Sequence, residues 1–210
     1  MNIKANLKYI IIGSLVFLFL YSFIAVGSFG ADIFFEPEWT TDISEPVAQA
    51  AAPDSTEEAE AFILGDRYGF FLPDGTILSA VKTDRKITAS TSGWATYPAN
   101  ASDTVVYKPD GTVRTTIAGS GFVHLDKERI FLFHPGGDGV SQIDENGTNR
   151  WTREHTSPIT AFRSLPKGAI IGYLDGKLVH VDQDGNEVFS FYPGGSNHPV
   201  ILGAALSEDG

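Results

Sequence analysis

The chain has 210 residues and no cysteine, and its 26 acidic against 15 basic residues give a formal net charge of −11. Without cysteine there is no disulfide, no thiolate metal site, no Cys nucleophile and no lipid-modified Cys anchor. No basic patch is present to displace counterions, so nucleic acid is not an expected partner.

The chain opens with a short segment, residues 1–8, that carries Lys4 and Lys8. Tyr9 to Phe29 then reads YIIIGSLVFLFLYSFIAVGSF, without a charge. A run of this length spans a bilayer core as a helix. The first charges beyond it are Asp32, Glu36 and Glu38. The positive-inside rule therefore places residues 1–8 in the cytoplasm and the rest outside, periplasmic or at the cell surface. The competing reading is a cleaved signal peptide, with small-residue sites at Ala25-Val26-Gly27 and Ser28-Phe29-Gly30. Secretory apolar regions usually run about 7–15 residues, which favours an uncleaved signal anchor, a single-pass membrane protein held in the lipid bilayer through residues 9–29.

Residues 30–61 read as an acidic, flexible tether. Within 31–61 stand nine acids (Asp32, Glu36, Glu38, Asp42, Glu45, Asp54, Glu57, Glu58, Glu60) and no Lys or Arg. Such a segment cannot bury enough apolar surface to offset its ordering entropy. Phe34, Phe35 and Trp39 suit the headgroup level of a membrane. Ser55 with Glu58 fits a capping box for a short helix over Ser55–Ala61.

From Phe62 to Gly210 turn residues are dense and no segment keeps a 3.6-residue apolar period. Strands are predicted over Gly69–Leu72, Thr76–Val81, Lys86–Thr91, Trp94–Tyr97, Thr104–Lys108, Val113–Ile117, Gly121–Leu125 and Arg129–His134. They continue over Val140–Ile143, Asn149–Thr152, Ile159–Ser164, Ala169–Leu174, Leu178–Asp182, Glu187–Phe191 and Val200–Leu206. Ile130–Phe133 and Ala169–Gly172 are apolar without alternation, the pattern of a strand buried on both faces.

Three turns give these strands a period. Asp110-Gly111, Asn146-Gly147 and Asp184-Gly185 lie 36 and 38 residues apart, and Asp74-Gly75 lies another 36 back. Asp-Gly or Asn-Gly between apolar runs is a strong hairpin signal, with both turn residues expected at positive φ. A hairpin at this period points to a propeller, built all-β from blades of four antiparallel strands. Whole units are predicted from about Lys86 to Ile117, Gly121 to Thr152 and Ile159 to Phe191. Gly69–Val81 supplies only a final hairpin and Val200–Gly210 only a first strand. The expectation is therefore an incomplete ring, a fragment, with those two end pieces lying apart.

The unit GAIIGYLDGKLVHVDQDGNEVFSF followed by HPVILGAALSEDG resembles the repeat of the PQQ-like and WD40-like propellers, the quinoprotein-dehydrogenase-like superfamily. Trp151 and Phe189 stand where that repeat has its aromatic, and Val113–Ile117 has none. The resemblance covers roughly residues 62–210. Quinone-dependent members hold calcium and the quinone in the central channel, but no position here matches the calcium ligands. Scaffold members bind partner proteins through loops and a charged rim.

Sharper site readings find little support. Asp182-Gln183-Asp184-Gly185-Asn186 and Asp144-Glu145-Asn146-Gly147 lack the third acid and the distal Glu of an EF-hand, and read as hairpins whose Asp bonds its own turn backbone. His124, His134, His155, His180 and His198 show no zinc-motif spacing. His180, inside an apolar strand, reads as a hydrogen-bonded core residue. No G-x-S-x-G elbow marks a hydrolase. Asn100-Ala-Ser102 and Asn146-Gly-Thr148 are formal glycosylation sequons. No catalytic, cofactor-binding or metal residue is identified, and no cofactor is expected. The sequence points to a membrane-tethered, extracytoplasmic β-propeller that binds or scaffolds a partner protein. The alternative is a quinoprotein-like oxidoreductase using the propeller channel.

Overall fold

A computed structural model describes residues 3–28, 36–47, 58–98, 102–127, 129–195 and 197–207. The chain divides into two units, Met1–Thr40 and Thr41–Gly210. In the first unit, α1 runs over Ile3–Ser28, and its side chains are described over residues 7–22, all exposed. Among the described residues no helix is long and apolar enough to cross a membrane. The stretch with described side chains is shorter than the roughly 20 residues a crossing needs. The span expected over 9–29 extends beyond it, and Phe29, Phe34 and Phe35 lie outside the described residues.

The second unit is four antiparallel meanders in sequence order. The first contains β1 (Glu60–Leu64), β2 (Arg67–Phe71) and β3 (Ile77–Lys82). Next come β4 (Lys86–Ser90), β5 (Gly93–Tyr97), β6 (Asp103–Tyr107) and β7 (Val113–Ala118). The third sheet is β8 (Phe122–Asp126), β9 (Arg129–Phe133), β10 (Gly139–Ile143) and β11 (Asn149–Glu154). The fourth is β12 (Ile159–Leu165), β13 (Gly168–Tyr173), β14 (Leu178–Asp182) and β15 (Glu187–Phe191). The first strands of successive sheets touch, β1 with β4 and β4 with β8, so they form the inner edge of a fan.

Its core lies between the sheets. Ala95, Tyr97, Val106 and Ile117 of the second sheet meet Val123, Leu125, Ile130, Leu132 and Ile143 of the third. Phe131, Val140 and Trp151 of the third meet Ala169, Ile171, Tyr173, Val179 and Val181 of the fourth. Strand β9 shows why its sequence does not alternate. Ile130 and Leu132 point into one core and Phe131 into the other. Side chains of successive strand residues face opposite sides, so a strand between two cores is apolar throughout.

The Asp-Gly and Asn-Gly turns form where the period puts them, in a different geometry from the one expected. Only the glycine is at positive φ, 82° at Gly111, 78° at Gly147 and 80° at Gly185. Gly111 N–H donates to Lys108 O at 2.9 Å and Lys108 N–H to Thr112 O at 2.8 Å, with a register shift at Val106/Tyr107. This is a three-residue loop, a type I turn closed by a glycine bulge, and not the two-residue turn. Asp182 Oδ1 accepts from Asp184 N and Asn186 N, and Asp144 Oδ1 from Asn146 N and Thr148 N, so each Asp bonds its own turn. The hydrogen bond from the Asn186 side chain, with that from its backbone, holds the Asp182 carboxyl below the usual carboxylate range.

The two ends of the repeat region differ from the sequence reading. Strand β1 begins at Glu60, inside the segment read as tether, because Glu60–Leu64 pairs along the whole of β2. The Gly75 turn therefore joins the second and third strands of its sheet, while the other three turns join the third and fourth. Val47 bridges Ala80 on the free side of β3, with N–H···O bonds of 3.1 Å in both directions. Of the proposed helix over 55–61, residues 55–57 lie outside the described residues, and 60–61 belong to β1. Val200–Leu206 is not a strand. Ile201 sits over Gly172, where an added Cβ would come 2.7 Å from Ile201 Cβ, so the segment crosses a sheet face. A strand needs a ladder, and a segment lying across a face has none. No pairing joins 200–206 to β1–β3 among the described residues.

The turn glycines also set the spacing between sheets. A Cβ on Gly147 would run into the Thr116 carbonyl oxygen and come 3.0 Å from Thr115 Oγ1, both on β7 of the preceding sheet. Gly137 has a similar φ of 74° with nothing within 4 Å. Both alanine substitutions incur the left-handed penalty of about 1–2 kcal/mol. Gly147→Ala should lose a further 1–3 kcal/mol or so to overpacking, read as a lower urea midpoint than Gly137→Ala at unchanged m-value. Equal midpoints for the two variants would refute this account of sheet spacing.

Candidate functional site

The joint between the third and fourth sheets holds a connected set of polar side chains. Strand β11 turns Trp151 inward against the Gly185 turn, with Trp151 Cγ 2.5 Å from where a Gly185 Cβ would stand. Trp151 Nε1 donates to Gln142 Oε1 at 2.9 Å and to Gln183 O at 3.2 Å. Arg129 on β9 crosses the joint. Its Nη1 donates to Leu165 O and to Gly168 O, the latter at 2.7 Å, and its Nη2 donates to Gln142 Oε1 at 2.8 Å. Ser164 Oγ donates to Asp126 Oδ2.

Ion pairs repeat from sheet to sheet on the outer strands. Arg114 on β7 holds Glu145 in the next turn at 2.6 Å, and Arg150 on β11 holds Asp184 at 2.7 Å. Both arginines stand three residues after their turn glycine. Arg153 adds a pair with Glu187 at 2.5 Å. The hydrogen bond from Arg114 holds the Glu145 carboxyl below its ordinary range. Sequence reading missed these pairs, although arginine at the same offset in two repeats was a signal.

Above the joint opens a cavity of about 400 Å³. Lys127, Arg129, Arg150 and Arg163 line it, with Gln142 and the carboxylate Asp126. The β8–β9 and β12–β13 hairpins bring Lys127 and Arg163 to it from 36 positions apart in sequence.

The histidines do not assemble. His124 lies between Phe131, Phe133 and Phe162, with the ring of Phe162 at 5.8 Å. His155 Nε2 contacts Asp175 Oδ2 at 2.8 Å beneath the Tyr173 ring. His180 is buried against Phe189, but its Nε2 has no hydrogen-bond partner, contrary to the bonded core histidine expected. His134 Nε2 bonds Ser141 Oγ at 2.8 Å, with Glu154 3.7 Å from Nδ1, an outline of a nucleophile, base and acid. Ser141 is only 3% exposed and its oxygen also bonds Thr152 Oγ1 at 2.8 Å, so no substrate reaches it. Asn146 lies in its turn as described, whereas Asn100 and Ala101 of the other sequon lie outside the described residues. Among the described residues no group of three or more His, Cys, Asp or Glu could hold a metal ion.

A family model for β-propeller proteins matches residues 1–210. The chain belongs to the β-propeller protein family. An uncharacterized protein of Treponema pallidum (strain Nichols) is 40% identical over 217 residues, covering all of this chain and 58% of that protein. The chain thus spans a little over half the length of this relative. Among solved structures, KlHsv2 with its loop 6CD replaced by a Gly-Ser linker matches with a TM-score of 0.52 at 13% identity, over 67% of this chain and 52% of that one. BamB from Moraxella catarrhalis matches at 0.49 and 12%, over 73% and 52%. At 13% identity the likeness to KlHsv2 speaks to the fold alone.

The surroundings of His124 in the joint predict a pH-dependent stability. Burial pushes its pKa down and Arg163 pushes the same way, while Asp126 opposes both. A depressed histidine pKa means the unfolded chain binds more protons below about pH 6.5, so stability falls as pH drops through that value. His124→Phe should flatten the fall in urea midpoint between pH 7 and pH 5. An unchanged slope would show that the imidazole does not carry it.

Proposed function

We propose that the chain is a membrane-tethered, extracytoplasmic β-propeller of the PQQ-like and WD40-like kind that serves as a protein-binding or scaffold module. The observation that carries this reading is the outer face of the fourth sheet. Every residue of β15 is exposed, and Val188, Phe189, Phe191 and Tyr192 are 58%, 44%, 48% and 59% exposed. Counted from the turn glycine, Phe189 is the equivalent of Trp151, the residue on which the next sheet sits. Val188 replaces the clamp arginines Arg114 and Arg150, and Phe191 replaces Arg153. The face keeps the stacking geometry of the inner joints but exchanges their charge for apolar surface. Such a face is suited to a protein surface that presents apolar side chains and no acid in that register.

The quinoprotein-like alternative requires several polar ligands converging at the centre. The four inner strands β1, β4, β8 and β12 carry two carboxylates, Glu60 and Asp126, and Asp126 is engaged by Ser164. That composition favours a scaffold.

A photo-crosslinking residue placed at Val188 in the cell-borne protein should yield an adduct with another polypeptide, and one at exposed Asp84 should not. A crosslink confined to the chain's own polypeptide would make the face an internal joint and overturn the reading. The tether has its own test. With α1 as an uncleaved anchor, the protein stays in the membrane fraction after alkaline carbonate washing, and external protease removes the propeller. Recovery of a soluble chain beginning near Ser28 or Ala31 would refute the anchor.

A further inference from the structure

We propose that the cavity between the third and fourth sheets is a binding site for a small organic carboxylate. This stands apart from the scaffold reading. The cavity, about 400 Å³, lies within the ordinary range of small-molecule sites, about 300–1,000 Å³. Counting described residues, four cations line or edge it, against Asp126 in its wall and Asp184 beside it. Arg150 is paired with Asp184, and Asp126 interacts with Arg129. Lys127 and Arg163 form no ion pair with a described carboxylate, which leaves a local excess of positive charge in a chain that is acidic overall.

Gln142 supplies the directional element. It is 6% exposed and lines the cavity. Its Oε1 accepts from both Arg129 Nη2 and Trp151 Nε1, and both donors fix the amide the same way round. The amide NH2 has no acceptor among the described residues, and Gln142 lines the cavity, so an incoming carboxylate oxygen can supply one. Arg129 holds the wall rigid through two carbonyls of the facing sheet and stacks over Phe131 at 4.9 Å. Lys127 stands in the two-residue β8–β9 turn, where its φ of 48° is the conformation a tight hairpin requires, and the turn places it at the cavity edge. Leu165 and Pro166 form an apolar wall suited to a short carbon chain. The wall's own carboxylate, Asp126, disfavours a compact dianion such as phosphate.

Calorimetric titration of the full-length protein in detergent, at low ionic strength, tests the site with glutarate as probe and inorganic phosphate as the second arm. Saturable one-to-one binding of glutarate is expected, at least fivefold tighter than phosphate. Arg163→Gln should weaken it at least fivefold. Gln142→Glu keeps the acceptor for Arg129 and Trp151 but turns a carboxylate toward the ligand, so it should abolish binding while the urea midpoint shows a folded protein. Lys127→Gln, at an exposed position, serves if Gln142→Glu fails to fold, and should weaken binding as Arg163→Gln does. No saturable binding, equal affinity for phosphate, or affinity unmoved by the variants would each overturn the proposal.

Discussion

The fold rests on how closely the turn glycines Gly147 and Gly185 approach the outer strand of the preceding sheet. Gly147 lies on the backbone of Thr116 and Gly185 on the indole of Trp151, with no room for a Cβ at either place. That approach brings the sheets within reach of one another, and the buried clusters then fill the space between them. Burying a side chain such as Ile171 or Val179 contributes about 1.5–3 kcal/mol, so each intersheet core far outweighs the surface ion pairs at its rim. The arginine clamps fix register and angle more than stability. Arg114, whose side chain is only 6% exposed, binds Ser92 of its own sheet as well as Glu145 of the next.

Much of this was legible from the turns. Their 36- to 38-residue step set the blade boundaries of the second, third and fourth sheets, and the unbroken apolar runs at Ile130 and Ala169 marked strands between two cores. What escaped has physical causes. Strand β1 follows a run of like charges and has no turn signal of the repeating kind before it, so only its pairing with β2 reveals it. Val200–Leu206 has strand-like composition, but Ile201 is covered in part by lying across β13 while Leu202 stays exposed, and neither joins a ladder. The turn type was misread because Asp-Gly serves both hairpin geometries, and the bulge appears only in the ladder register. The cavity had no sequence signal, because its cations come from separate hairpins and gain meaning only when the sheets stack.

Charge is distributed with the same logic as the packing. Acids dominate the segment before the blades, whereas Arg114 and Arg150 lie on the turn-facing ends of outer strands and Lys127, Arg129 and Arg163 line the joint. Arg129 can be half buried because its donors meet two carbonyls and an amide oxygen fixed by other bonds. A charge is tolerated inside a protein only when its hydrogen bonds are met. The guanidinium in turn positions Gln142, which positions Trp151, so one chain of bonds runs from the inner hairpin of the third sheet to its outer strand.

The fourth sheet departs from this pattern in a graded way. Near the hub its free face is covered by Pro199 to Ile201, where a Cβ on Gly176 would meet Pro199 Cβ at 2.7 Å and Thr160 Oγ1 donates to Ile201 O at 2.6 Å. Outward along the same face, β14 is largely buried while β15 is exposed throughout. The substitution of arginine by Val188 and Phe191 falls in that outer half, where a charged clamp would keep the face wet. Replacing guanidinium by apolar side chains lowers the desolvation cost of covering the face and removes the need for an acid on whatever covers it. The outer half is thus suited to sheet-on-sheet contact with a less selective electrostatic demand than the inner joints impose.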